Sequence, residues 1–182
     1  MKATNLGKRP DLQVLLNLDM VESEVVLAEI SRLIPQHDKE IIDRKKLIRI
    51  CKDCFDERYN FFFDGRDDTT NTAKSINIKL GKVPILGIQV IRDRVIVSAF
   101  DLFEDDFYRF FRICELIIPL RISSRQIVEN FLKKALELRF VVEKIITMTV
   151  DVKDEINLLQ IVEDRSPSSS MMSTTYSPPR NT

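Results

Sequence analysis

The chain has 182 residues, and 28 Lys+Arg against 28 Asp+Glu leave it with no formal net charge. A single core typically serves ~100–200 residues, so one domain with extensions is expected. The balanced charge argues against nucleic-acid binding through a broad basic surface, no apolar run approaches the ~18–20 residues of a membrane helix, and Met1 to Pro10 hold no apolar core of the signal-peptide kind.

Cysteine usage agrees. There are 3 cysteines, Cys51, Cys54 and Cys114. An odd number without a secretion signal reads as reduced thiols, and the expected location is intracellular, cytoplasmic or nuclear. The single histidine, His37, lies in a polar connection without an acid or nucleophile beside it. The 4 glycines, Gly7, Gly65, Gly81 and Gly87, form neither a dinucleotide fingerprint nor a phosphate loop.

Residues 1–20 read as a leader, followed by a domain over 21–150. Glu24 to Ile30 is short and β-branched at its start, which predicts a strand. After Pro35 and a polar connection, Glu40-Ile41-Ile42-Asp43 reads as a return strand. From Arg44 to Phe63 the period becomes helical. Leu47, Cys51, Cys54, Phe55, Tyr59 and Phe62 fall on one stripe, with Arg49, Lys52, Asp56 and Asn60 largely opposite. Asp64 to Thr72 reads as a loop.

Residues 75–100 read as β. Ile76, Ile78 and Leu80 alternate with polar neighbours, and Gly87–Ile91 with Arg94–Ala99 flank Arg92-Asp93 as a hairpin. The last third reads as helical. Phe107, Phe110, Phe111 and Cys114 mark one helix, opened by Glu104-Asp105-Asp106 at its positive dipole end. Ser123 and Gln126 have capping-box spacing before a helix carrying Ile127, Val128, Phe131, Leu132, Ala135 and Leu138. Phe140 to Met148 reads as a further helix, and Val150 to Val162 fits neither period cleanly. Residues 151–163 are a short extension. Residues 164–182 form a Ser/Pro-rich tail with too little to bury, expected to be disordered.

Residues 23–148 resemble a BTB/POZ domain, in the divergent form common in nematode proteins. Asp106, Phe107, Phe110 and Phe111 match that family's acidic-aromatic helix. Ser123, Val128, Phe131, Leu132, Ala135 and Leu138 match the capped helix that follows it. Ser23 to Leu27 resembles the opening strand, and Ile41 to Leu47, through Phe55 and Tyr59, the return strand and first helix. The resemblance implies an α+β fold, a helical cluster capped by a small mixed sheet. It also implies homo- or hetero-dimerisation and an adaptor role on a cullin ubiquitin-ligase scaffold. The family's hydrophobic-x-Glu element, which helps cullin binding, is here Phe61-Phe62-Phe63-Asp64-Gly65, without the Glu.

Cys51-Lys52-Asp53-Cys54 admits a sharper reading, a redox dithiol or half of a zinc site. Structural zinc takes four ligands, and only Cys114 and His37 remain to supply the others. Redox dithiols sit at helix N-termini, whereas this pair falls in mid-helix on the apolar stripe, so a core role is expected. No catalytic constellation, cofactor site or metal site is predicted. The expected function is a non-enzymatic interaction module with protein partners. Phe61, Phe63, Phe103, Tyr108 and Arg112 are the candidate contact residues, and a thiol-based redox or metal protein is the alternative.

Overall fold

The computed structural model describes residues 9–18, 21–31, 37–63, 71–103, 107–120 and 125–165. In chain order the elements are β1 (Leu12–Leu18), β2 (Val21–Ser31), α1 (His37–Phe63), α2 (Asn71–Gly81), β3 (Ile85–Ile91), β4 (Arg94–Phe103), β5 (Phe107–Ile117) and α3 (Arg125–Arg165). The fold is α+β. One 5-stranded sheet runs in the order β1-β2-β3-β4-β5. The β2–β3 pair is parallel, as α1 and α2 intervene between them, and the other pairs are antiparallel. Among the described residues no helix is long and apolar enough to cross a membrane.

Period-2 alternation sorts the sheet's side chains between two helical layers. Leu27, Ile85 and Phe100 pack with Leu47, Ile50, Cys51 and Phe55 of α1. Their chain neighbours Val26, Leu86 and Ala99 turn the other way, joining Ile76 and Leu80 of α2 and Ile145, Val152 and Ile156 of α3. The sheet therefore lies between helices, rather than capping a cluster of them. Polar contacts tie the start of α1 to β2: Ser31 Oγ donates to Asp43 Oδ2 (2.7 Å) and Lys46 Nζ to Glu29 Oε2 (2.9 Å). Burial raises the Glu29 carboxyl above its ordinary value, outweighing the stabilising Lys46 ammonium.

Gly87 sets how closely α1 approaches. A Cβ there would lie 3.2 Å from Phe110 Cε2 and 3.3 Å from both Cys51 Sγ and Leu47 Cδ2. The missing side chain is the space those groups occupy. The β3–β4 hairpin forms where expected. Its first turn residue, Arg92, has φ 56°, the left-handed region that normally favours glycine.

Several expectations are corrected. Glu40 to Asp43 is not a return strand but part of α1, which has Asp38 and Glu40 in its first turn. The place beside β2 is filled by β3, and Ile41 and Ile42 stay exposed. Residues 75–81 are helical, not β: Ile76 and Leu80 are buried one turn apart while Ile78 faces solvent, so the apparent alternation was incidental to a helical period. Phe107 to Cys114 is strand, not helix. Pairing with β4 continues from Phe103↔Phe107 to Arg94↔Ile117 and outweighs the three-and-four spacing of the aromatics.

The helix expected near Phe131 and the one expected from Phe140 are a single element. No Gly or Pro interrupts residues 125–165, so α3 also takes in the ambiguous 150–162 stretch. The 1–20 leader contains β1, which pairs with β2. Of the expected 64–72 loop, residues 71 and 72 belong to α2 and 64–70 lie outside the described residues. Residues 164 and 165 of the expected tail belong to α3. The rest of that tail, together with Glu104 to Asp106 and Ser123, lies outside the described residues.

Candidate protein-binding surface

Among the described residues, sheet order leaves β5 on an edge, paired only with β4. The register sets Phe103 opposite Phe107, Asp101 opposite Arg109 and Ala99 opposite Phe111. These six share the sheet face that carries α3. Asp101 is largely buried and holds Arg109 bidentately, with Nε–Oδ1 at 3.0 Å and Nη2–Oδ2 at 2.7 Å. This hydrogen-bonded pairing raises the guanidinium's pKa. The Arg109 Cζ lies 4.9 Å from the Phe103 ring centroid and 4.6 Å from that of Phe111. Phe103 and Phe111 stay exposed, and Phe107 beside them is 73% exposed. The result is an aromatic–cation stack on the surface, fixed in place by a buried carboxylate.

The five contact residues expected from sequence do not converge. Phe103 belongs to this stack. Tyr108, one residue from Phe107, points to the opposite face, where its hydroxyl donates to Asp56 of α1. Its ring centroid is 5.5 Å from that of Phe100, with Lys52 Nζ 4.7 Å from the Tyr108 ring. The bond to Asp56 raises its phenol pKa.

Arg112 also lies on the α1 side. It pairs with Glu115 and lines a small cavity with Arg44, Leu47, Gln89, Ile96, Ser98 and Phe110. Two arginines are the titratable groups of that lining. The amide of Gln89 is already engaged, donating to the Glu40 carbonyl (2.8 Å). Phe61 is exposed near the far end of α1, its ring centroid 5.5 Å from that of Phe62. The side chain of Phe63 lies outside the described residues. Sequence reasoning missed Phe107, Arg109 and Phe111 as a group, because helical spacing separates residues that a strand aligns at i, i+2 and i+4.

The cysteines occupy the other layer. Cys51 is fully buried against Gly87, and burial pushes its thiol up to about 12. Cys54 is half-buried and likewise pushed up to about 12, chiefly by burial. Both shifts disfavour the thiolate that redox or metal chemistry uses. Among the described residues no three His, Cys, Asp or Glu side chains come together as a metal site.

One buried cation stands apart. Arg58 of α1 is 4% exposed, donates through Nη2 to the Val83 carbonyl and lies with Cζ 5.1 Å from the Phe55 ring. Among the described residues, its Nε and Nη1 have no hydrogen-bond partner. Burial pulls its pKa down to about 10, against the opposing charge of Glu24.

Set against family models, curated proteins and solved structures, the chain matches none.

Proposed function

We propose that this chain is a non-enzymatic protein-binding module and that the β4–β5 aromatic face receives a partner. The observation that carries the reading is the stack of Phe103, Arg109 and Phe111 on Asp101, with Phe107 left in water beside it. Aromatic and arginine side chains dominate binding energy where they become desolvated at the centre of an interface. Burying Phe107 alone would contribute about 1.5–3 kcal/mol. The bidentate bond already restricts Arg109, so docking orders fewer rotamers there. The β5 edge, unpaired by any other strand among the described residues, adds backbone donors and acceptors for a partner strand next to the stack.

The BTB/POZ resemblance, which implied the cullin-adaptor role, matched Phe107, Phe110 and Phe111 to a helix, where the chain has β5. The proposal is accordingly confined to protein binding. The thiol-based alternative has less in its favour, since burial raises both the Cys51 and the Cys54 thiols.

The test compares the full chain with Phe107→Asp and Phe111→Asp. Both positions are exposed, so folding is expected to survive. A partner captured by the wild type, lost by both variants and reconstituted from purified components supports the reading. Equal binding by all three chains refutes it.

A further inference from the structure

α3 carries exposed apolar side chains on a second face that no other element covers among the described residues. Its 41 residues span about 60 Å at ~1.5 Å per residue. Ile145, Thr149, Val152 and Ile156 are buried and mark the side that faces the protein body. At ~100° per residue, Leu132 and Leu136 lie on the opposite side. They are 54% and 56% exposed, and Phe140 at the stripe's flank is 67% exposed.

The charges on the same side have an order. Arg125, Glu129, Leu132, Leu136, Arg139 and Glu143 follow one another at alternating spacings of four and three, the spacing of a coiled-coil seam. All four charged members are solvent-exposed and, among the described residues, paired only along their own helix, Arg125 with Glu129 (2.5 Å) and Arg139 with Glu143 (2.7 Å).

We infer that this face binds a second copy of the chain, α3 against α3, antiparallel about a two-fold axis level with Lys134. In that register Arg125 of each copy faces Glu143 of the other, Glu129 faces Arg139, and Leu132 faces Leu136. A parallel register would set each of these charges against its own kind. The pattern is therefore complementary to itself in one orientation only, as an isologous two-fold contact requires. Lys134 does not collide with its mate across the axis, because it points back to the body and donates to the Glu115 carbonyl (2.9 Å). The inference shares with the proposed function only that the chain works through protein contacts. It uses a different surface.

Sedimentation of the full chain tests it. The wild type is expected to show a concentration-dependent dimer. Glu129→Arg with Glu143→Arg makes the stripe all positive, and Arg125→Glu with Arg139→Glu makes it all negative. Each doubly substituted chain alone should dimerise about tenfold or more weakly, since every facing pair becomes repulsive. Mixing the two should restore dimerisation, which shows that both remain folded. Phe107→Asp should dimerise as the wild type does. A wild type that is monomeric at every concentration, or single-sign stripes that self-associate unchanged, overturns the inference and leaves the β4–β5 reading to its own test. Loss in each chain without rescue on mixing overturns it as well.

Discussion

Replacing Gly87 measures how tightly α1 is seated on the sheet. An added methyl would sit at 3.2 Å from Phe110 Cε2 and 3.3 Å from Cys51 Sγ and Leu47 Cδ2, short of the ~3.5 Å at which carbon contacts become favourable. All three neighbours are side chains, two of them on α1, so relief means moving the helix or leaving a rotamer. Overpacking of this kind costs about 1–3 kcal/mol. Losing glycine's extra freedom in the unfolded chain returns about 0.4–1 kcal/mol. Gly87→Ala should therefore destabilise by about 1 kcal/mol, and Gly87→Val, with two more methyls in the same wedge, by about 3 kcal/mol or more. Urea unfolding followed by circular dichroism reads both. Leu47→Ala alone should cost about 2–5 kcal/mol by opening a cavity beside Gly87. Combined with Gly87→Ala it should cost less than the two separately, with about 0.5 kcal/mol or more of coupling. A Gly87→Val chain with an unchanged urea midpoint, or strictly additive effects in the cycle, would refute the close seating of α1.

Arg58→Met should leave the protein as stable or about 1–3 kcal/mol more stable, because it removes a buried charge with two nitrogens unpartnered among the described residues, at the cost of one bond to Val83. A clear loss in thermal melting would show that the guanidinium is better satisfied than its contacts indicate. Arg92→Gly should raise stability by about 0.5–1 kcal/mol in the same assay by relieving the φ of 56°. Cys51 and Cys54, with thiols near 12, should react with iodoacetamide at pH 8 far more slowly in the folded protein than in urea, and rapid labelling without denaturant would contradict their burial. Glu29, raised by burial from its ordinary 4.5, holds its proton more firmly folded than unfolded. Its stabilising contribution is complete below pH 4.5 and is lost as pH rises through the folded value. Glu29→Gln should thus gain stability relative to the wild type between pH 4 and pH 7, which paired urea melts at the two pH values would detect.

Much was legible in the residues alone: β2 from its β-branched run, most of α1 from a single apolar stripe, the β3–β4 hairpin, and helix over 127–138. Each has a local pattern strong enough to specify an element without help. The burial of Cys51 follows from the same stripe, since a thiol on the apolar side of a helix goes where its neighbours go.

What tertiary structure decided lay where two periods overlapped. Ile76, Ile78 and Leu80 satisfy alternation, but the protein buries only the pair one helical turn apart. Phe107, Phe110, Phe111 and Cys114 satisfy helical spacing, but β4 offers a ladder of partners along the whole segment, and hydrogen bonds to a neighbouring strand cannot be read from the segment that receives them. That one choice set the candidate site: it turned Tyr108 toward α1 and gathered Phe103, Phe107, Arg109 and Phe111 on the other face. Local sequence establishes which side chains are available, and long-range pairing establishes which of them meet, because sheet contacts join residues whose proximity no local period encodes.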